Sequence, residues 1–445
     1  MGGGGLIQLV AVGAQDIYIT GQPQITFFKS VYRRHTNFAI EPIMQNINGT
    51  ARFGGKISIT IFKNGDLLKN LWIQYSPKEV LAGVTPSDPN YFVGANVGHA
   101  IIDSVELEIG GQIIDKHYGK WMTVWNYLTE CDSAGIQGAI GTEWQEPSYA
   151  DNAVYFSPDG DYATRYNIMA YTHRADFGDE PSVPPKYAPD QAYIPLRFWF
   201  CRNPGLAIPL LALQYTEIKL NITLGKVEGI YCLATPPSVP TSAPVPTGNE
   251  FDSLKVYADY IFLDSSERRQ FTQNAHEYLI EQLQVLNNIT DATVNLIFNH
   301  PVKELIWSPT PKNVFYQPNT AIFPDPDNGI YTPGLASPSN SLVQSDYLLL
   351  FNGIPRFQAR DYKYFTRNQV WDYHTGYGSI LFPNSIAVYS FALKPEEHQP
   401  SGTCNFSRLD SAQIIRSTTD AIDVYATNYN VLRIMSGKGG LAYTN

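Results

Sequence analysis

Lys56–Phe62 reads Lys-Ile-Ser-Ile-Thr-Ile-Phe, in which polar and apolar side chains alternate as far as Ile61. An alternation with a period of two predicts a β-strand that is buried on one face. An Asn64-Gly65 pair follows, and a second apolar stretch then runs from Leu67 to Tyr75. Because Asn-Gly between apolar runs is a strong turn signal, we predict that the two strands form a β-hairpin.

The second half of the chain repeats this order. Thr293–Phe298 reads Thr-Val-Asn-Leu-Ile-Phe, and a turn at His300-Pro301 leads to a predicted return strand through Glu304–Trp307. The same order twice predicts one β-domain duplicated in tandem, which is typical of a building block rather than of an enzyme. The other matching segments are predicted hairpins at Asp103–Ile109 with Gly110-Gly111 and at Tyr347–Phe351 with Asn352-Gly353, then strand pairs Tyr193–Phe200 with Tyr215–Leu224 and Ile386–Leu393 with Cys404–Leu409.

Composition agrees with an all-β fold. The 445 residues are 44% hydrophobic, which is ample for two cores, and they include 34 Gly, 31 Pro, 29 Tyr and 22 Phe. Turn-forming and aromatic residues without long helical patterns are typical of β-sandwiches. The sequence therefore predicts two β-domains with short helices and long loops.

The predicted domain boundaries follow local composition. We predict an N-terminal arm at residues 1–25, a first β-domain at 26–224, a Pro-rich linker at 225–252 and a second β-domain at 253–445. The linker contains five prolines between residues 234 and 250, which favours an extended spacer. Gly110 and Pro204 are 94 residues apart, whereas Asn352 and Pro395 are 43 apart, so the first domain should contain a long loop insertion at about 121–193. Asp264–Glu267 resembles a helix N-cap and predicts a helix of about two turns.

Charge and cysteine content narrow the possible partners. The formal net charge is −10 and no basic stripe is present, which argues against direct binding of nucleic acid. The four cysteines are far apart and form no CxxC pair, so we expect free thiols in a reducing compartment; they are Cys131, Cys201, Cys232 and Cys404. We recognise no signal peptide and no apolar run of roughly 18 residues that would span a membrane.

No pattern in the sequence indicates catalysis. HExxH, GxSxG and EF-hand spacings are absent, and Ser436–Gly439 matches a phosphate loop poorly. Asp325 with Asp327 and Glu396 with Glu397 are carboxylate pairs, but each lies beside proline in a predicted loop. We therefore predict that the chain is not an enzyme, and we assign no catalytic, cofactor-binding or metal-binding residue and no cofactor. Trp121, Trp125 and Trp144 could stack on sugars, although packing under a loop is the favoured interpretation.

A series of segments along almost the whole chain resembles the major capsid proteins of large icosahedral DNA viruses of eukaryotes, the nucleocytoplasmic large DNA viruses, and most of all their phycodnavirus-like branch. The sequence departs from the family in the loops at about 128–190 and 310–345 and in the Pro-rich linker. The segments that resemble the family are Gly5–Ala11, Gly13–Tyr18, Pro23–Lys29, Val31–Phe38, Val105–Gly111, Pro204–Leu210, Asp259–Asp264, His276–Gln282, Phe391–Pro395, Gln399–Arg408 and Asn428–Gly437.

The resemblance implies a double jelly roll, with two tandem eight-stranded antiparallel β-sandwiches. It implies a homotrimer that forms a pseudo-hexagonal capsomer, and capsomers that tile the icosahedral shell of the virion. Expected partners are neighbouring capsomers, minor capsid proteins and the inner viral membrane. We expect the arm and the helix at 264–274 to face the inner side of the shell, near the minor capsid proteins and the membrane. Assembly would take place in the host cytoplasm.

Two alternatives remain open from the sequence. The chain could be a minor capsid paralogue of the same fold. It could also be a carbohydrate-binding β-sandwich that attaches to glycans on the host surface, a function that a capsid protein could combine with its structural one.

Overall fold

The computed structural model describes residues 11–76, 91–93, 97–129, 192–225, 231–233, 253–310, 345–376 and 386–444. Residues before Phe38 form a unit of their own. Its described part, residues 11–37, contains the short helix α1 (Ile17–Thr20) and no β-strand. The side chains in this part are exposed, including Tyr18 and Phe28. This segment therefore lacks a core of its own.

The second unit, Phe38–Asn445, contains two β-sandwiches. In the first sandwich, one sheet has the strand order β1-β12-β4-β8 (the β1 sheet), and the other has the order β3-β10-β6-β7, with β2 beside β3 (the β3 sheet). All pairings are antiparallel. The strands are β1 (Phe38–Gln45), β2 (Ile47–Asn48), β3 (Lys56–Ile61), β4 (Leu67–Ser76), β5 (Tyr91–Val93), β6 (Ile102–Ile109), β7 (Gln112–Tyr118), β8 (Ala192–Pro195), β9 (Ile208–Pro209), β10 (Ile218–Leu224), β11 (Tyr231–Leu233) and β12 (Ser253–Leu263).

The second sandwich has the same strand order. Its sheets are β13-β22-β15-β19 (the β13 sheet) and β14-β21-β16-β17 (the β14 sheet), and each matches the corresponding sheet of the first sandwich strand for strand. The strands are β13 (His276–Ile289), β14 (Thr293–Asn295), β15 (Pro301–Pro309), β16 (Asp346–Phe351), β17 (Ile354–Pro355), β18 (Arg360–Asp361), β19 (Ala387–Ser390), β20 (Cys404–Asn405), β21 (Ala412–Arg416), β22 (Ile422–Met435) and β23 (Lys438–Leu441). This architecture confirms the predicted double jelly roll.

Short helices connect the strands. After α1, the described residues contain α2 (Val97–Ala100), α3 (Gly119–Thr129), α4 (Trp199–Arg202), α5 (Ser265–Gln273) and α6 (Gln369–Tyr373). Helix α5 confirms the predicted N-cap, because the Asp264 carboxylate accepts hydrogen bonds from the backbone N–H groups of Ser266 (3.0 Å) and Glu267 (2.8 Å). A π-helical turn, Tyr364–Asn368, precedes α6.

Each sandwich has its own core between its two sheets. On β3, Ile57, Ile59 and Ile61 are buried, while the intervening residues are more exposed. Leu220 on β10 pairs with Ile59 and is buried on the same face. Period-two alternation therefore directs one face of each strand into the core.

The predicted hairpin between Lys56–Phe62 and Leu67–Tyr75 is wrong. Strand β3 pairs with β10, whereas β4 pairs with β12 in the opposite sheet, so the Asn64-Gly65 turn crosses from one sheet to the other. A Cβ atom on Gly65 would lie 2.6 Å from the Tyr260 Cβ, and this close approach explains the glycine.

The predicted hairpin in the second half is wrong for the same reason. β14 pairs with β21 and β15 with β22, so the segment between them also joins opposite sheets. The hairpins at Gly110-Gly111 and Asn352-Gly353 are confirmed by the pairings β6–β7 and β16–β17, and all four turn residues have positive φ.

The predicted start of the second domain at residue 253 is also wrong. Strand β12 lies between β1 and β4 and contributes Val256, Ala258 and Tyr260 to the first core. The first sandwich therefore extends to Leu263. The predicted loop insertion at 121–193 begins instead with the last turns of α3, and residues 130–191 of it lie outside the described residues, as does most of the predicted linker.

Candidate functional site at the joint between the two sandwiches

Helix α3 connects the first sandwich to the outer face of the second. It follows β7, and its side chains Trp121, Trp125 and Leu128 have the spacing of one helix face and are buried. They pack on Ile306 and Tyr425 of the β13 sheet, and the rings of Trp121 and Tyr425 are 5.1 Å apart. The aromatic side chains considered for sugar stacking are therefore part of an internal interface, except for Trp144, which lies outside the described residues.

The hairpin formed by β22 and β23 makes a second contact with the first sandwich. Leu432 and Ile434 pack with the core of the first sandwich. At the turn, Gly437 has φ +78°, and its carbonyl accepts a hydrogen bond from the Tyr215 N–H at 3.0 Å. A Cβ atom on Gly437 would lie 2.5 Å from the Tyr215 ring. Ser436–Gly439 is thus a structural turn. We call the region in which α3 and the β22–β23 hairpin connect the two sandwiches the joint.

Glu281 on β13 is the centre of a buried charge cluster. Its carboxylate lies 2.5 Å from the Arg202 guanidinium of the first sandwich and 2.9 Å from Lys303 Nζ on β15. Burial would raise the pKa of Glu281, but the two cations hold that pKa well below its usual value. Lys303 is completely buried, and its ammonium also donates to the Pro395 carbonyl at 2.7 Å. The cluster therefore links both sandwiches through ionised groups.

His374 lies at a second buried charge cluster. Its Nε2 is 3.1 Å from the Glu304 carboxylate, and its Nδ1 is 2.9 Å from the Glu396 carboxylate. Burial lowers the pKa of His374, but the two carboxylates outweigh burial and raise it to about 9. The neighbouring Thr375 hydroxyl donates to the Thr129 carbonyl at 3.0 Å, which connects this cluster to the end of α3.

Further polar contacts fix the position of one sandwich against the other. Lys120 on α3 forms a 2.7 Å ion pair with Asp423 on β22, whose side chain is completely buried. Asp115 on β7 accepts a hydrogen bond from the Leu283 backbone N–H of β13 at 3.1 Å. Paired buried charges tolerate little displacement, because a separated charge in the interior is costly. The joint therefore holds the two sandwiches in one defined orientation.

The described residues at the joint leave little room for a substrate. A cavity of about 20 Å³ at the joint, between Trp125, Arg202 and Glu281, has space for about one water molecule. Glu396 faces His374, whereas Glu397 forms a surface ion pair with Lys394 at 2.8 Å, so these two carboxylates do not face a common cleft. Asp325 and Asp327 lie outside the described residues.

Across the described ranges, no three His, Cys, Asp or Glu side chains are placed to hold a metal ion, and no helix is long and apolar enough to cross a membrane.

Sequence reasoning missed the charged residues of the joint. One signal was present: Lys303-Glu304 is a charged pair inside the otherwise apolar segment Pro301–Trp307. Charged residues in a strand that is buried on both faces require partners. Those partners, Glu281 and His374, are distant in sequence and can be recognised only from the fold.

Comparison with known proteins agrees with this architecture. Residues 26–264 match a family model described as major capsid protein N-terminus, and residues 267–440 match one described as large eukaryotic DNA virus major capsid protein. The boundary between the two matches falls directly after β12. The chain is 41% identical over 466 residues to the major capsid protein of Pyramimonas orientalis virus, with 100% of both chains covered. It is 38% identical over 497 residues to that of Paramecium bursaria Chlorella virus 1, covering 99% of this chain and 100% of the relative.

Solved structures show the same fold. A chain in the quasi-atomic model of the PBCV-1 virus capsid matches with a TM-score of 0.70 at 32% identity, covering 94% of this chain and 100% of that one. The Faustovirus major capsid protein matches with a TM-score of 0.62 at 14% identity, covering 95% and 94%, and shares the fold. This chain therefore belongs to the family of large eukaryotic DNA virus major capsid proteins, and its role is structural, as a component of a viral capsid.

Proposed function

We propose that three copies of this chain form a homotrimeric capsomer with a pseudo-hexagonal outline, and that these capsomers tile the icosahedral shell of the virion. The observation that carries the proposal is the identical strand order of the two sandwiches. Three chains with two similar sandwiches each supply six similar units, so a threefold assembly acquires a nearly sixfold outline. Such an outline fits a hexagonal lattice.

The buried joint supports this proposal. A chain that contributes two of six units must hold them at a fixed angle, since an error in one chain would prevent the ring from closing. The cluster around Glu281 connects residues of different sandwiches. The cluster around His374 stabilises the end of α3. We infer that the charged groups serve orientation more than stability, because buried ion pairs often contribute little net stability.

The arm suggests further partners. Large apolar side chains in residues 11–37 are exposed, and exposed apolar clusters mark interaction sites. We propose that this segment and helix α5 contact minor capsid proteins at the inner side of the shell, close to the inner viral membrane. The exposed side chains are Val12, Ile17, Tyr18, Ile19, Ile25, Phe27, Phe28, Val31 and Tyr32.

We also propose assembly in the host cytoplasm and a function without enzymatic activity. Cys201 and Cys404 carry free thiols, and burial raises the pKa of Cys201 to about 12, which suits an inert thiol in a reducing compartment. The structural role of the family supports the absence of catalysis.

The mass of the purified chain in solution tests the capsomer proposal. Light scattering after size exclusion should give about three times 49.7 kDa, and electron microscopy should show particles with a hexagonal outline. A particle that remains at the mass of one chain at every concentration would contradict the trimer.

A further inference from the structure

The two sandwiches differ at one corresponding face. In the β13 sheet, four paired residues cross the outer face in a row: Val285, Tyr425, Ile306 and Val388. Tyr425, Ile306 and Val388 are completely buried, because α3 of the first sandwich lies on them. We call these four residues the covered row.

The β1 sheet has a row at the corresponding place, made of Met44, Tyr257, Trp72 and Pro195. We call it the open row, since Met44 is 54% exposed. Ile40 on the same strand is 44% exposed, and Tyr193 on β8 is 40% exposed. Both rows have a tyrosine on the second strand of their sheet order, at Tyr425 on β22 and at Tyr257 on β12. Within the part of the chain that the structure describes, the open row therefore has the composition of an interface but lacks the helix that covers its counterpart.

The open row is a rigid aromatic surface. The rings of Trp72 and Tyr257 are stacked at 4.2 Å and are nearly parallel, at 8°. Tyr193 lies 5.8 Å from Trp72 on the other side. The Trp72 indole N–H donates to Asp259 at 3.2 Å, and this bond fixes the ring. Rings that are already ordered lose little conformational entropy on binding, which favours their use as anchors.

The second sandwich has a helical segment where the first has α3. Residues Tyr364–Tyr373 lie between β17 and β19. Helix α3 lies between β7 and β8, which hold the same places in the sheets of the first sandwich. Phe365 and Val370 of this segment are buried, but Trp371 is 85% exposed. An exposed tryptophan on a helical segment is a candidate anchor for a partner.

We propose that Trp371 and the segment around it pack on the open row of a second copy of this chain. Within one chain, the first sandwich covers the second through α3. Between chains, the second sandwich would cover the first of the next copy through the equivalent segment. Repetition of one head-to-tail relation closes a ring of six sandwiches after three chains when each step turns by one sixth of a full rotation. This inference rests on the proposed trimer and assigns the residues of its contact.

Substitution of the two tryptophans tests the contact. Trp371→Ala and Trp72→Ala should each weaken association of the chains by about 30-fold or more at every contact, as expected for a central aromatic anchor. Ile297→Ala is the matched control, because Ile297 is an apolar residue that is 78% exposed on the second sandwich but lies outside the row and the helical segment. Mass is measured by light scattering over a series of protein concentrations, and circular dichroism verifies that each variant is folded.

Cross-linking provides an independent readout. A Met44→Cys chain and a Trp371→Cys chain are mixed before assembly and treated with a short thiol cross-linker. A covalent dimer is expected for this mixture, and none for Met44→Cys mixed with Ile297→Cys. The contact would be overturned, and the trimer left intact, if both tryptophan variants formed trimers as readily as the wild-type chain and the cross-link did not form. A wild-type chain that stays monomeric would overturn the trimer and the contact together.

Discussion

His374 Nε2 lies 3.1 Å from the Glu304 carboxylate, and both side chains are completely buried beside the joint. Glu396 faces the other ring nitrogen at 2.9 Å. A histidine between two carboxylates remains protonated at neutral pH, so its proton contributes to the stability of the fold. Deprotonation would leave the two acids without their shared cation.

Stability should therefore fall as the pH rises. The pKa of His374 is about 9 in the folded chain, above its ordinary value of 6.5. A raised pKa means that the contribution is complete below about pH 6.5 and is lost as the pH increases through 9. Urea unfolding between pH 6 and 10 should show this loss. A Glu304→Gln/His374→Gln double variant removes both charges and should flatten the profile; an equally steep profile in that variant would refute the assignment.

Removing the charge of Glu281 should be costly. Glu281→Gln leaves the completely buried Lys303 and the adjacent Arg202 without their counter-ion, so we expect a loss of about 3–5 kcal/mol in the free energy of unfolding. Glu277→Gln is the matched control on the same strand, since its ion pair with Arg433 is exposed and should contribute at most about 1 kcal/mol. Urea denaturation measures both, and equal losses would argue against a buried cluster.

Trp125 should be an important residue of the joint. Trp125→Ala removes a side chain that is 4% exposed between the sandwiches, and such truncations cost about 3–5 kcal/mol. Trp371→Ala is the matched control in the monomer, because that side chain is 85% exposed and should change unfolding by about 0.5 kcal/mol or less. Thermal unfolding of the monomeric chains distinguishes the two variants. Similar shifts in the unfolding temperature would show that Trp125 does not stabilise the joint.

Gly437 tests the contact between the β22–β23 turn and the first sandwich. Gly437→Ala places a Cβ atom 2.5 Å from the Tyr215 ring in addition to the backbone cost at φ +78°. Gly111→Ala has a similar φ of +83°, but its Cβ atom would meet nothing within 4 Å. The backbone cost is about 1–2 kcal/mol in both, so the additional loss at Gly437, about 1–3 kcal/mol, reports the contact with Tyr215. Equal losses in urea unfolding would indicate that the turn can move away.

Strands could be predicted from the sequence far better than their partners. The alternation at Lys56–Phe62 gives the strand and its buried face, but it contains no information about which sheet the strand joins. Strands β3 and β4 both turn one face to the same core from opposite sides, so they have the same pattern that a hairpin would have. Of the four hairpins predicted from turn signals, the structure contains the two at Gly110-Gly111 and Asn352-Gly353, where both turn residues have positive φ.

The predicted domain boundary was wrong for a similar reason. The prolines at 234–250 are a local feature and resemble a linker, whereas the pairing of β12 with β1 is a contact between residues far apart in sequence. The joint depends on the same kind of long-range contact. The spacing of Trp121 and Trp125 suits a helix, but its partner Tyr425 lies near the other end of the chain.

The position of β12 also bears on the synthesis of the chain. Strand β4 ends at Ser76, but its neighbour β12 begins only at Ser253, so a growing chain must wait for its central strand. Until then β1 and β4 expose unpaired edges, which favour aggregation. We expect the first sandwich to become resistant to protease on the ribosome only after Leu263 has left the exit tunnel, a step that nascent chains of increasing length would reveal. Resistance in chains that end before Ser253 would show that the sandwich closes without β12.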